Sequence, residues 1–195
     1  MKGRHTMNKQ AMISIHPEHA YNILIGKKTL EIRKWIPKDY VGWVHMYVTK
    51  GKPYLYQIYN RFIISDFKGK SDFKDNFFNN KVVAKFWFEG YEQIRWNNDL
   101  DICFTMKMSQ KKLLNDLQLT KEELISYVQD KIGYAWHINK LTIFDKPREL
   151  GDYFTDYDIF DTDRNGKYVG EYIQPTKLLT KAPQRLTWVY EEERE

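Results

Sequence analysis

The side chains best placed by type and spacing to do chemistry are Lys28, Glu31 and Arg33, a carboxylate set between two cations within six residues. Two fixed cations neutralise phosphate, and a carboxylate beside them accepts hydrogen bonds from a base edge, so the set suits an anionic or nucleotide-like ligand. The same groups also make an acid and base pair, Lys28 and Glu31, with Arg33 available to stabilise developing negative charge. Against both stands a plainer alternative. Exposed strand edges carry Lys and Arg simply to block aggregation, and such charge is usually solvated.

The elements that must hold these groups follow from local chemistry. Pro17 tolerates the first helical position, Ala20, Ile23 and Leu24 recur at helical spacing, and Gly26 suits a left-handed stop, so a helix is predicted over about Pro17 to Ile25. A strand follows in which Leu30 and Ile32 point inward, while Thr29, Glu31 and Arg33 share the opposite face.

Farther along, Trp43 to Thr49 and Val82 to Glu89 read as central strands. Between them, the spaced aromatics Tyr54, Tyr56, Tyr59 and Phe62 predict a helix docked on the sheet, followed by a flexible arm around Lys68 to Asn80. Ser109 opens one helix. Thr120 and Glu123 form a capping box for another, with Leu119 and Leu124 as its hydrophobic staple. Ile132 to Phe144 reads as one strand in which Tyr134 and Trp136 share a face and His137, turned away, is a hydrogen-bonded, semi-buried histidine. Leu186 to Tyr190 closes the chain before a charged tail.

A chain of 195 residues fits one domain with insertions better than two full domains. Its 42% apolar and 16% aromatic content describes a folded protein, and no run approaches the ~18 apolar residues of a membrane span. No signal peptide or anchor is readable at the N-terminus, and Cys103 is the lone cysteine, so a reducing cytoplasmic location and a packed, inert thiol are expected. A net charge of +5 and a pI near 9.0 favour an anionic partner, nucleic acid first. Asp161, Asp163, Asn165 and Gly166 begin like a calcium loop, but Tyr172 stands where the bidentate glutamate belongs, so a surface turn is preferred. Neither a zinc cluster nor a phosphate-cradling glycine loop is present in the sequence, so no metal or cofactor is expected.

The stretch from Ser14 to Trp35, with Pro17, Glu18 and Ala20 followed by Gly26, Lys28, Thr29, Glu31 and Arg33, resembles the opening signature of ASCH domains, relatives of the PUA domain. The later order of strands, the Gly-Tyr-Ala run at Gly133 and the Ala-Pro-Gln run at Ala182 agree with it, over about two thirds of the chain. The resemblance implies an α+β, PUA-like small β-barrel of about five to six mostly antiparallel strands with flanking helices. Residues 13–190 would form that domain, after a 1–12 extension and before a 191–195 tail, with insertions at about 50–80 and 151–177. It also implies a basic cleft that recognises RNA or a modified nucleoside, DNA being possible, with no membrane role. Lys28, Thr29, Glu31, Arg33 and Lys34 would line this cleft, joined by His16, Tyr134, Trp136, Gln184 and Arg185. His16 stands where the pattern often shows lysine, and Arg185 where a small serine is usual. Some similar proteins hydrolyse acetylated cytidine with a lysine, a threonine and a glutamate; Lys28 matches the first, but Glu31 occupies the threonine position. A hydrolase of RNA or of an acylated nucleoside, and a protein-interaction module built on Tyr54 to Phe62, are the alternatives.

Overall fold

The computed structural model describes residues 8–68, 77–97, 102–104, 108–128, 132–162, 165 and 168–190. Its strands are β1 Gln10–Ile15, β2 Leu30–Arg33, β3 Gly42–Val48, β4 Tyr54–Ile58, β5 Arg61–Ser65, β6 Lys81–Phe88, β7 Tyr91–Asn97, β8 Ile102–Phe104, β9 Gly133–His137, β10 Asn139–Arg148, β11 Phe154–Thr162, β12 Tyr168–Leu178 and β13 Leu186–Val189. Among the described residues three α-helices accompany them, α1 Pro17–Leu24, α2 Gln110–Leu117 and α3 Lys121–Val128, with a short 3-10 helix at Leu150–Asp152. The class is α+β.

The first sheet has the order β10-β6-β3-β1-β13, and the second β2-β9-β7-β8; β4 with β5 and β11 with β12 make two-stranded ribbons. All pairs among the described strands are antiparallel except β1 with β3. The expected barrel of five to six strands is therefore corrected. Among the described residues, β10 does not pair with β13, and the strands remain in four separate sheets. The physical reason is that each apolar face already has a cover. Ala11, Ile13 and Ile15 of β1 meet Ala20, Ile23 and Leu24 of α1, and the other face packs Met12, Tyr47 and Val82 with Tyr153 and Phe144. Leu30, Ile32, Ile94 and Ala135 of the second sheet meet Leu113 and Leu117 of α2 and Leu124 and Val128 of α3.

The predicted boundaries of α1 agree with the structure, and Gly26 has a φ of +75° just past its end. Ser109 caps α2, its Oγ accepting from the Lys112 amide at 3.3 Å. The box at α3 is reciprocal: the Glu123 amide donates to Thr120 Oγ1 at 3.1 Å, and the Thr120 amide donates to Glu123 Oε2 at 2.8 Å. Thr120→Ala is expected to lower stability by about 1 kcal/mol, read as a shift of the urea midpoint, while Thr120→Ser is nearly silent.

Two element assignments change. The predicted helix after Lys50 is the β4–β5 hairpin, turned at Tyr59 and Asn60, whose φ values are +48° and +60°. Two consecutive left-handed residues define the turn type whose twist matches a hairpin. Two of its aromatics nonetheless dock inward, Tyr56 being buried and Phe62 meeting Phe78 at 5.7 Å, while Tyr59 at the turn is 96% exposed. The single strand expected over Ile132 to Phe144 is instead two strands in different sheets, parted at Ile138, with Lys140 left-handed at +46°. The calcium-like run falls at the tip of the β11–β12 hairpin; Asp163 and Gly166, like residues 1–7, 69–76, 191–195 and the Cys103 side chain, lie outside what is described.

Candidate ligand site at a buried charge cluster

β2 carries the site because both of its faces are covered. Leu30 and Ile32 point inward as predicted, and there they meet α2 and α3, but the opposite face is not a solvated edge. Glu31 is 6% exposed and Lys28 only 2%. Thr29 alone of the predicted polar trio lies on the surface.

The cluster is tightly tied. Arg33 Nη2 stands 3.0 Å from Glu31 Oε1 and donates to the Ser14 carbonyl of β1 at 2.7 Å. Ser14 Oγ in turn donates to the Pro183 carbonyl at 2.6 Å, which ties the Ala-Pro-Gln segment to β1. Lys28 Nζ donates to the Leu117 carbonyl at the end of α2 at 2.6 Å, where a cation complements the helix dipole. It lies 3.6 Å from Glu31 Oε2, an ionic contact beyond hydrogen-bond length. Burial holds the Lys28 ammonium below the ordinary lysine range; the attraction of Glu31 works the other way, and Arg33 adds to the lowering. Desolvation is thus the larger influence on this lysine and the carboxylate the opposing one.

His19, a residue the sequence reading passed over, faces the same charges from α1. Burial first, then Lys28, lowers its pKa, with Glu31 opposing. Its neighbour His16, one ring at 6.2 Å, is exposed at the N-terminus of the helix. Only tertiary packing brings His19 to Glu31. The spacing from 19 to 31 across a helix and a turn carries no periodic signal.

Among the described residues, four buried polar atoms here have no hydrogen-bond partner: His19 Nδ1, Glu31 Oε2, Arg33 Nε and Trp136 Nε1. Trp136 is the register partner of Glu31 across β2 and β9, and Tyr134 that of Arg33, so all four side chains share one sheet face. The shared face of Tyr134 and Trp136 agrees with the sequence reading, as does His137, which turns away to meet Glu92 at 3.3 Å. Trp136 cannot serve as an open stacking platform, however. It is fully buried, edge-on to Trp35 at 5.4 Å and against Phe88 at 4.8 Å, and its indole N–H is buried with it. Tyr134 is half-buried; Lys34, over the Tyr127 ring at 5.0 Å, Gln184 and Arg185 are exposed.

A separate surface cleft of about 390 Å³ lies between α1 and the β4–β5 hairpin, lined by Glu18, Tyr21, Asn22, Ile64 and Asp66. It contains none of the predicted residues, and its two carboxylates oppose a phosphate-bearing ligand. No helix among the described residues is long and apolar enough to cross a membrane.

No family model matches the chain, and no curated protein matches it. Solved structures do. The crystal structure of ASCH from Zymomonas mobilis superposes with a TM-score of 0.50 at 17% identity, covering 92% of this chain and 86% of that one. Two single-substitution variants of that Zymomonas mobilis protein also match, one Tyr to Phe (TM-score 0.47, 16% identity, 93% and 90% covered) and one Ser to Ala (0.48, 18%, 92% and 87%).

Proposed function

We propose that this chain, which has the ASCH fold, binds RNA or a modified nucleoside at the Lys28–Glu31–Arg33 cluster. One observation supports the reading: buried charges and four buried polar atoms without hydrogen-bond partners gather at one sheet face, three of the atoms from β2 and β9 and His19 Nδ1 from α1. An unmade hydrogen bond costs about 1–3 kcal/mol per buried group, and a core that maximised stability would not collect four of them. A ligand offering N–H groups to Glu31 and oxygen acceptors to Arg33 and Trp136 removes that cost. Exposed Lys34 and Arg185 supply the positive rim for phosphate, consistent with the +5 charge. On this reading 13–190 is one ASCH-type domain, with 50–80 and 151–177 as additions to it.

The test is a fluorescence anisotropy titration with short single-stranded RNA at 50 and 200 mM salt. Saturable binding is expected at the lower salt, weakening as salt rises with a log–log slope of about −0.7 per phosphate contact. Replacing Lys34 and Arg185 together by alanine is expected to flatten that slope by about 1.4 if both touch phosphate. Absence of saturable binding at 50 mM overturns the proposal.

A second reading, hydrolysis of RNA or of an acylated nucleoside, draws on the lowered proton affinities of Lys28 and His19 around one carboxylate. Groups brought toward neutrality by burial are the ones suited to proton transfer. Product formation from a pooled set of nucleosides and RNAs, lost in His19→Ala, separates chemistry from binding alone.

A further inference from the structure

The second sheet does not end at the charge cluster. Across β2, β9 and β7 the register aligns Arg33 with Tyr134 and Tyr134 with Gln93, and in the neighbouring row Glu31 with Trp136 and Trp136 with Tyr91. Directly opposed residues point to the same side, so Tyr91, Gln93 and Arg95, at alternate positions of β7, lie on the face that holds Glu31 and Arg33. The intervening Glu92 and Ile94 are buried on the other side. Along this face burial falls steadily. Trp136 is fully covered, Tyr134 and Gln93 are half-buried, Tyr91 is 38% exposed, and Arg95 is exposed. Tyr134 and Tyr91 meet edge to face at 5.3 Å, and Arg95 Nη2 donates to Gln93 Oε1 at 3.3 Å. The surface passes without a break from buried charges to exposed aromatic rings and then to a cation.

We infer that the ligand of this site is a single strand of at least two or three nucleotides, whose next base stacks on Tyr91, a ring braced edge to face by Tyr134, and whose following phosphate meets Arg95. This rests on the function proposed above and adds to it the polymeric nature of the ligand and its direction of travel, from Arg33 toward β7. Tyrosines spaced on a strand face stack bases whatever their identity, and an arginine beside them tracks the backbone. A free nucleoside would fill the cluster and leave this row unused. The occupant is nucleic acid rather than protein because the face joins the candidate site directly, and its exposed charge is positive.

The experiment compares a random-sequence RNA hexamer pool with the four nucleoside 5′-monophosphates, for the intact chain and for Tyr91→Ala, Tyr91→Trp and Arg95→Ala. Thermal melts confirm folding of these surface variants. The hexamer is expected to bind at least tenfold tighter than any monophosphate. Tyr91→Ala should bring that ratio close to one, Tyr91→Trp should preserve it, and Arg95→Ala should reduce the hexamer salt slope by about 0.7. If hexamer and monophosphates bind the intact chain equally, or if Tyr91→Ala leaves the ratio intact, this inference falls while the function stands. If neither ligand binds, both fall.

Discussion

Glu31→Ala is expected to cost about 3–5 kcal/mol of folding stability, more than any rim substitution, because it strands two buried cations. Lys28 and Arg33 would keep only the Leu117 and Ser14 carbonyls as partners. Urea unfolding at pH 7 measures the loss. A triple variant, Lys28→Met with Glu31→Leu and Arg33→Met, is expected to recover most of it, since apolar groups of similar volume often replace a whole buried charged cluster without penalty. Both variants should lose the ligand. A Glu31→Ala protein as stable as the parent would mean that the cluster is solvated and that no site exists there.

The second large effect concerns acid. His45 is fully buried in β3, its Nε2–H donating to Gln10 Oε1 at 2.8 Å. Its Nδ1 therefore accepts from the Tyr153 hydroxyl, at 3.2 Å. Burial, then the nearby Lys85 and Arg148, lowers its pKa to about 3. The unfolded chain binds a proton near pH 6.5 while the folded chain refuses it, so stability is complete above that value and declines as pH falls toward about 3. The expected slope is about 1.4 kcal/mol per pH unit, or about 2 kcal/mol between pH 6.5 and 5, with His19 adding in the same direction. Urea midpoints at pH 7.5, 6.5 and 5 test this. A His45→Gln variant should show a flatter profile; an unchanged slope in that variant would assign the acid loss elsewhere.

How much of this was legible beforehand depends on whether the signal was local. Pro17 and Gly26 bracket α1, and Thr120 with Glu123 starts α3, because caps act within four residues. The charge triplet was legible as a motif, but its burial was not. Strand parity separates two faces and does not say that β1 and α1 will cover the polar one. The β4–β5 hairpin was missed because Tyr59 and Asn60 adopt left-handed backbone without a glycine to announce it. The division of 132–144 was missed for a similar reason: apolar residues run on past Ile138, while the chain changes sheets beneath an unbroken pattern. His19 and His45 gain their meaning only from partners far away in sequence.

The bond from Lys28 to the Leu117 carbonyl has an experimental use. One ammonium both balances a carboxylate and fastens the last turn of α2, so anything that discharges or withdraws it is registered as fraying at that end of the helix. Amide exchange at Gln118 and Leu119, whose N–H groups close the turn onto Asn115 and Leu114, therefore reports the ionisation of the cluster without a label or a substrate.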